Sequence, residues 1–258
     1  MEKVKIKNRK GQNIAVLLEE TQDSKGLAFV MHGLGGFKEQ LHIATFAQAF
    51  KDKGFTVVRF DTTDTYGESD GNYEDATTTN YYEDLEDVIE WAKSQPWYRK
   101  PFCLAGHSLG GISTALYAEK HPEKIKALAP ISTVVSGKLS SKTFSKEELE
   151  NWKKTGWREQ KSESIPGLIK RLKWAHMEDR MKYDLLPEAG KLTMPVLLIV
   201  GEEDEYLYES QALLEAIPGN KKELHVIEGA PHTFREPEHI KEVKDIFLKW
   251  IDQLDNKS

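Results

Sequence analysis

Residues 102–113 read FCLAGHSLGGIS and place Ser108 between two glycines, after an apolar run and before a helical pattern. A strand, a tight turn and a helix in this order form the repeating unit of an open parallel sheet, so the stretch predicts an α/β fold. In such sheets, reactive side chains collect beyond the carboxyl ends of the strands. Ser108 is therefore either part of an ordinary glycine-rich turn or a nucleophile, and the turn alone does not separate the two.

Strand and helix patterns alternate on both sides of this turn. The predicted strands are GLAFVMHG (26–33), FTVVRF (55–60), PFCLAG (101–106), IKALAPIS (125–132), PVLLIVG (195–201) and ELHVIEG (223–229). Because these runs are mostly apolar rather than alternating, they predict parallel strands covered on both faces. The fold class is α/β, with a mostly parallel, doubly wound sheet. The segments KVKIK and NIAVLLEE are predicted to form an antiparallel hairpin at one edge.

A long interruption at 133–187 separates the strand IKALAPIS from the strand PVLLIVG. It holds twelve Lys and Arg residues against eight Asp and Glu, although the whole chain has a net charge of −6. We predict a helical cap, or lid, inserted into one core domain formed by 1–132 and 188–258. The charges of the cap either form a solvated helix face, which we favour, or attract anionic substrates. The same two readings, packing onto the core or lining an aromatic pocket, apply to its tryptophans, Trp152, Trp157 and Trp174, and we favour packing.

Composition and chain termini argue against several classes of protein. The acidic net charge argues against a general nucleic-acid binder. The charged N-terminus lacks the apolar core of a secretory signal, and the longest apolar runs are too short to cross a bilayer. Cys103, the single cysteine, cannot form an internal disulfide and is expected to be buried, and the eight histidines show no metal-binding spacing. We expect a cytoplasmic monomer or homodimer with no cofactor and no metal, which binds a small molecule rather than nucleic acid or a membrane.

A nucleophilic serine needs a base, and the base needs a carboxylate to orient it. His232 lies in EGAPHTF, directly after the last predicted strand. The stretch VGEEDEY places four acids after the preceding strand, Glu202, Glu203, Asp204 and Glu205. Serine, acid and histidine thus all follow predicted strands, at the edge of the sheet where side chains meet. This coincidence favours the nucleophile over the simple turn.

The glycine-rich stretch HGLGG, residues 32–36, follows the strand GLAFVM. Glycines there allow a backbone amide to approach a carbonyl oxygen closely. The amides of Leu34 and Leu109 would then form a two-donor oxyanion hole, in which each donor contributes about 3 kcal/mol to lowering the barrier. The alternative is a simple turn that ends the strand.

Together these segments resemble the α/β-hydrolase superfamily. HGLGG, the DTTDTYGESDG loop at 61–71, GHSLGG, VGEED and GAPH occur in the order of that family, from about residue 26 to the C-terminus. Within it, the sequence is most similar to bacterial cinnamoyl and feruloyl esterase-type carboxylesterases. The likeness extends to the N-terminal hairpin, the inserted cap and the phrase KYDLLPEAGKLTMPVLLIVGEED.

The resemblance implies a role for each site residue. Ser108 matches the nucleophile and His232 the general base, and the family pattern Gly-x-x-Asp selects Asp204 among the four acids. Leu34 and Leu109 match the oxyanion-hole positions through their backbone amides. Two stretches depart from the family: the loop at 61–71 is one residue longer and lacks the usual Arg-Gly pair, and 206–208 replace the usual Val-Pro.

The implied activity is that of a serine carboxylesterase acting on short-chain or aromatic acyl esters through an acyl-enzyme, with no cofactor. A lipase, thioesterase or peptidase would use the same triad, and a non-catalytic binding protein of this fold is the remaining alternative. His107 and His32 are interpreted as structural, with His32 orienting the oxyanion loop.

Overall fold

A computed structural model describes residues 1–161, 167 and 169–255 of the protein. Residues 162–166 and 168, which belong to the predicted cap, lie outside the described residues. The described residues form ten strands: β1 Glu2–Lys7, β2 Asn13–Glu19, β3 Gly26–Met31, β4 Phe55–Phe60, β5 Phe102–His107, β6 Ile125–Ile131, β7 Trp157–Lys161, β8 Ile169–Lys173, β9 Val196–Gly201 and β10 Lys222–Ile227. The helices are α1 Leu41–Asp52, α2 Thr78–Ala92, α3 Leu109–Lys120, α4 Gly137–Ser140, α5 Lys146–Thr155, α6 Ala175–Arg180, α7 Leu207–Ala216 and α8 Pro237–Asp255.

Eight strands form one sheet in the order β1-β2-β4-β3-β5-β6-β9-β10. The pairs β1–β2 and β2–β4 are antiparallel, and every pair from β4 onward to β10 is parallel. The predicted α/β class and its antiparallel edge hairpin are therefore confirmed. Strands β3, β4, β5 and β9 are buried at every residue, including Cys103, because helices cover both faces.

The two faces of the sheet build two apolar layers. On one face α1 and α8 pack together, and Phe46 of α1 stacks on Phe247 of α8 with ring centroids 5.1 Å apart. On the other face α2 and α3 cover the apolar side chains of the central strands. These layers fix the carboxyl ends of β3, β5, β9 and β10 side by side, which is where the predicted site residues lie.

The segment between β6 and β9 is not helical throughout, which corrects the expectation of a helical cap. It contains α4, α5 and α6, but β7 and β8 form a separate antiparallel hairpin. Gly156, with a φ of 78°, ends α5 in the left-handed region, and the chain then turns into β7. This hairpin shows no alternation of apolar and polar residues in the sequence, because its alternating positions are mostly charged. Glu159, for example, pairs with Arg171 across the two strands.

Polar contacts and tryptophans hold the inserted segment on the core. The backbone amide and hydroxyl of Thr79 in α2 both donate to the carboxylate of Asp179 in α6. Trp152 is buried, donates to the carbonyl of Leu172 at 3.1 Å, and packs edge-on against Trp174. The tryptophans thus favour the packing reading over the pocket-lining one.

His176 in α6 makes this docking dependent on pH. Its ring is buried, its Nδ1 lies 2.9 Å from the carbonyl of Ala76, and burial lowers its pKa from 6.5 to about 3. Between these values the unfolded chain binds the extra proton and the folded chain does not, so the free energy of unfolding falls as pH is lowered.

We expect His176→Phe to flatten this pH dependence. One such group changes stability by up to about 1.4 kcal/mol per pH unit between its two pKa values. Urea unfolding from pH 7 to pH 4.5 should therefore show a smaller slope in His176→Phe than in the wild type. His225, which is only partly buried in β10, is substituted in the same way as the matched control and should leave the slope unchanged. Equal slopes in all three proteins would contradict the assignment.

None of the described helices, which end with α8 at residue 255, combines the length and the apolar character that crossing a membrane requires.

Candidate active site

Ser108 occupies a strained turn between β5 and α3. Its φ of 54° and ψ of −114° are rare for a residue with a side chain and cost of order 1–3 kcal/mol. The flanking glycines are needed because a Cβ on Gly106 would lie 2.3 Å from the carbonyl oxygen of Gly110. A Cβ on Gly110 would lie 2.4 Å from the carbonyl oxygen of His32 at the end of β3. The turn therefore raises the serine above the sheet at a position where larger neighbours do not fit.

The structure brings Ser108, His232 and Asp204 into one hydrogen-bonded line. His232 Nε2 lies 3.0 Å from Ser108 Oγ, and His232 Nδ1 lies 3.0 Å from Asp204 Oδ1 and 3.1 Å from Oδ2. A carboxylate accepts hydrogen bonds, so the imidazole proton is on Nδ1 and Nε2 is left to accept the serine proton. The three side chains follow β5, β10 and β9, whose carboxyl ends meet at one edge of the sheet.

Asp204 is the acid that contacts the histidine. Its side chain is fully buried, and burial alone would raise its pKa, but the hydrogen bond and charge of His232 and the amide of Tyr206 lower the pKa instead. Asp204 therefore stays ionised at neutral pH. Of the other acids, Glu202 accepts from the amide of Gly229, while Glu203 and Glu205 line a pocket. Among the described residues, none of these three contacts His232.

The HGLGG loop lies against the serine and is held from both sides. A Cβ on Gly33 would lie 2.9 Å from Ser108 Cβ, so the loop backbone packs directly on the turn. The hydroxyl of Tyr81 in α2 donates to the carbonyl of Gly33 and accepts from the amide of Gly35. His32 Nε2 accepts from the amide of Thr62, which leaves Nδ1 to donate to the carbonyl of Gly33 at 2.8 Å. His32 thus makes the contacts expected of a structural residue.

The amides of Leu34 and Leu109 are available to a ligand. Within the part of the chain that the structure describes, neither N–H donates a hydrogen bond. Leu109 is the first residue of the twelve-residue helix α3, whose N-terminal end favours negative charge. The two predicted oxyanion-hole positions therefore flank the serine with unused donors.

A buried ion pair supports the loop from below. Lys38, two residues after HGLGG, is 1% exposed in its side chain, and its Nζ lies 2.7 Å from Asp61 Oδ2. The amide of Lys38 also donates to Asp61 Oδ1, at 2.7 Å. Asp61 begins the loop at 61–71, where a Cβ on Gly67 would collide with its carboxylate. The loop that departs from the family pattern thus forms the base on which the HGLGG segment rests.

We expect Lys38→Met to be strongly destabilising, because it leaves the buried Asp61 carboxylate with backbone amide donors but without a cation to balance its charge. Breaking a buried pair in this way costs about 3–5 kcal/mol. Lys3, which is 54% exposed and pairs with Glu68, provides the control, since exposed pairs contribute about 0–1 kcal/mol. The free energy of unfolding in urea should separate the two variants clearly. Similar losses from Lys38→Met and Lys3→Met would show that the buried pair does not support the fold.

His107, next to the nucleophile, does not serve as a second base. Burial, followed by the charge of His232, lowers its pKa to about 3. Its Nε2 lies 2.9 Å from the carbonyl oxygen of His232 and must donate to it. Its ring also packs against His42 with centroids 4.6 Å apart. The contacts are those of a neutral residue that holds the His232 loop, in line with the structural interpretation.

Two pockets meet at the triad. One, of about 370 Å³, runs along the HGLGG loop and α1, and the other, of about 780 Å³, lies under the inserted segment. Both are lined by Leu34, Ser108 and His232. The described residues that line them include no tryptophan, and no group of three potential metal ligands comes together in the described chain.

Sequence reasoning missed several residues that shape this site. Neither Tyr81 nor Lys38 was among the predicted site residues. Tyr206 was noted as a departure from the family; its ring lies 5.1 Å from the ring of His232, and its hydroxyl accepts from Arg180 at 3.0 Å. The sequence offers a signal for Lys38, which lies two residues after HGLGG, but none for Tyr81.

Comparisons with known proteins agree with this architecture. A family model described as X-Pro dipeptidyl-peptidase (S15 family) matches residues 8–191. Est1E from Butyrivibrio proteoclasticus, in a structure with ferulic acid bound, superposes with a TM-score of 0.82 at 23% identity, covering 98% of this chain and 100% of that one. Alpha/beta hydrolase domain-containing protein 10 from mouse superposes with a TM-score of 0.81 at 20% identity, with the same coverage. The α/β-hydrolase fold is thus confirmed.

A further relative was found by comparing sequences. An uncharacterised 31.7 kDa protein in the traX-finO intergenic region of Escherichia coli is 25% identical over 240 residues, which cover 80% of this chain and 82% of that protein.

Proposed function

We propose that the chain, which belongs to the X-Pro dipeptidyl-peptidase (S15) family, is a serine hydrolase that cleaves carboxylic esters. The observation that carries the proposal is the unbroken hydrogen-bonded line from Ser108 Oγ through His232 to Asp204, with distances of 3.0 Å at both steps. A turn with a structural role alone would need neither the strained serine nor the buried carboxylate behind the histidine.

In the first half of the reaction, Ser108 Oγ attacks the ester carbonyl while His232 Nε2 takes the serine proton. The carbonyl oxygen becomes negative and accepts hydrogen bonds from the amides of Leu34 and Leu109. Asp204 stabilises the imidazolium that forms. The carbon–oxygen bond to the alcohol then breaks, and His232 gives the proton to the departing alcohol.

In the second half, water occupies the place of the alcohol. His232 takes a proton from this water, the resulting hydroxide attacks the acyl-serine, and the serine oxygen leaves with the proton from His232. The products are an acid, an alcohol and the regenerated enzyme. No group beyond the chain's own residues is needed for this sequence.

The substrate class rests on the pockets and on one structural neighbour. Pockets of about 370 and 780 Å³ on either side of the nucleophile fit a short or aromatic acyl group on one side and an alcohol on the other. Est1E, the neighbour with ferulic acid bound, supports an aromatic acyl group. We treat the inserted segment at 133–187 as the lid over the larger pocket.

A substrate panel tests the ester proposal. Initial rates would be measured on 4-nitrophenyl acetate, butyrate and octanoate and on methyl ferulate, beside a thioester and an aminoacyl amide of matched acyl group. We expect the esters to be hydrolysed with higher kcat/KM than the thioester and the amide. Faster turnover of the amide or the thioester by the folded protein would replace the ester proposal with a peptidase or a thioesterase.

A dipeptidyl-peptidase activity is the second candidate, favoured by the family match and by the acids Glu203 and Glu205 in the larger pocket. Carboxylates there would pair with the free amino group of a peptide. Hydrolysis of glycyl-proline 4-nitroanilide, with its N-acetylated form as the matched control, distinguishes it: cleavage of the free-amine form alone would establish the peptidase. Equal inertness towards both, with active ester hydrolysis, would exclude it.

A further inference from the structure

Arg180, the last residue of α6, lines the larger pocket together with Ser108 and His232. It is only 6% exposed, yet among the described residues its guanidinium has a single hydrogen-bond partner, the hydroxyl of Tyr206 at 3.0 Å. Its Nε is buried without an acceptor. Among the described residues it forms no ion pair. A buried guanidinium in this state is costly unless something supplies a negative charge.

Arg158 in β7 lines the same pocket. Its guanidinium lies 4.8 Å from the ring centroid of Phe144 and 5.8 Å from that of Trp152. These stacking contacts hold the planar group in place, and within the described chain it likewise forms no ion pair. Two arginines from different elements of the inserted segment thus present their charge to one pocket.

Arg158 and Arg180 both lie near one residue, His176. The ring of His176 stacks on Trp152, over which Arg158 also lies, and His176 is one helical turn before Arg180 in α6. The positive charge of both arginines contributes to lowering the pKa of His176, after the larger effect of burial. Both guanidinium groups are therefore close to the same wall of the pocket.

Within the described chain, the nearby acids form no ion pair with either arginine. Glu209 in α7 is a buried carboxylate that could serve as a partner for an arginine. Its Oε2, however, accepts from the amides of Val135 and Ser136, and its Oε1 has no hydrogen-bond partner in the described residues. Burial raises the pKa of Glu209, and the amides of Val135 and Ser136 and the charge of Arg180 oppose this rise. Glu148, Glu203 and Glu205 line the pocket without pairing to either arginine.

Resting on the proposed ester hydrolysis, we propose that Arg158 and Arg180 form a subsite for a carboxylate carried by the substrate, so that the preferred esters are anionic. A guanidinium presents paired N–H donors that match the two oxygens of a carboxylate. Tyr73, Phe144 and Leu34 supply apolar surface in the same pocket for the carbon chain or ring that joins the carboxylate to the ester. Glu148, Glu203 and Glu205 on the pocket wall disfavour a dianion such as a phosphate monoester.

The test compares charged and neutral esters of equal length. The probes are mono(4-nitrophenyl) esters of succinic, glutaric, adipic and suberic acids, each beside the 4-nitrophenyl alkanoate with the same number of acyl carbons. The readout is the ratio of kcat/KM for the charged ester to that for the neutral one. Lys153→Gln, which removes an exposed cap charge outside the pocket, is the matched control for Arg158→Gln and Arg180→Gln.

We expect the wild-type ratio to exceed one at the length that spans the pocket, and to fall about tenfold in each arginine variant, as the loss of a charge-assisted hydrogen bond predicts. Lys153→Gln should keep the wild-type ratio. A wild-type ratio below one at every length, or a ratio unchanged in Arg158→Gln, would overturn the proposal. Because Arg158 is half-buried and its side chain forms no hydrogen bond within the part of the chain that the structure describes, its variant still decides the matter if Arg180→Gln fails to fold.

A binding measurement separates this proposal from the ester activity itself. If no ester is hydrolysed, the proposed function fails, but the subsite is still testable with monomethyl esters of the same diacids on the Ser108→Ala protein. Calorimetry should show binding of the charged ester that weakens about tenfold in the Ser108→Ala, Arg158→Gln double variant. Equal binding by the two proteins, or none by either, would overturn the subsite.

Discussion

Ser108→Ala is expected to lower kcat for ester hydrolysis by about five to six orders of magnitude, the largest effect of any single substitution in the chain. The attacking oxygen is lost, and neither His107 nor any other described residue offers a nucleophile within reach of His232 Nε2. The oxyanion-hole amides and the pockets remain, so substrate binding should persist. Initial rates on the most reactive 4-nitrophenyl ester, with the variant freed of wild-type contamination, measure the loss.

Ser113→Ala provides the matched control for this experiment. Ser113 lies in α3, five residues after Ser108, and its hydroxyl donates to the carbonyl of Leu109 at 2.8 Å. It lines neither pocket at the triad. We expect Ser113→Ala to retain wild-type kcat within a few-fold. If Ser108→Ala retained activity comparable to that of Ser113→Ala, the serine would be part of a turn and nothing more.

Asp204→Asn is expected to lower kcat by about 10⁴-fold with little change in the fold. An asparagine keeps the shape of the side chain, but its amide group can donate to His232 Nδ1 and so favours the tautomer with the proton on Nε2. That tautomer cannot accept the proton of Ser108. The charge that stabilises the imidazolium is lost as well.

Glu203→Gln is the control, because Glu203 neighbours Asp204 in the chain but does not contact His232. Its kcat on the same ester should stay close to that of the wild type. A large loss of kcat in Glu203→Gln combined with a small loss in Asp204→Asn would contradict the assignment of Asp204 as the acid. His232 would then need a different partner.

The sheet and the triad could be predicted from the sequence because both depend on signals that lie close together in the chain. Short apolar runs indicate buried parallel strands. Reactive side chains directly after such strands meet at one edge of the sheet, whatever the length and conformation of the connecting loops. Ser108, Asp204 and His232 each follow a strand within a few residues. The selection of Asp204 over its three acidic neighbours came from the family pattern, and the structure shows the contact.

The supports of the site could not be predicted because their partners are distant in the chain. Lys38 and Asp61 are separated by 23 positions, and Tyr81 reaches Gly33 across 48. A lysine in a polar stretch is read as exposed, since burial of a charge is rare without a partner, and the partner is known only once the fold is known. The hairpin of β7 and β8 was missed for a related reason: its alternating positions carry mostly charged side chains.

The same reasoning applies to Arg158 and Arg180. In the sequence they are two of twelve basic residues between 133 and 187, and nothing in their spacing sets them apart. Only the packing of β7 and α6 over the nucleophile distinguishes them from cap charges on the solvent side. The proposed substrate specificity thus depends on contacts that the inserted segment makes, whereas the proposed reaction depends on side chains at the strand ends of the core.

Covalent labelling is the most direct test of whether Ser108 is a nucleophile. The folded wild-type protein would be treated with a fluorophosphonate probe, digested, and mapped by mass spectrometry, with Ser108→Ala and Ser113→Ala in parallel. We expect one adduct, on the peptide that contains Ser108. The adduct should be absent from Ser108→Ala and retained in Ser113→Ala, and a competing ester should slow its formation. Labelling at another residue, or no labelling of folded wild-type protein, would contradict it.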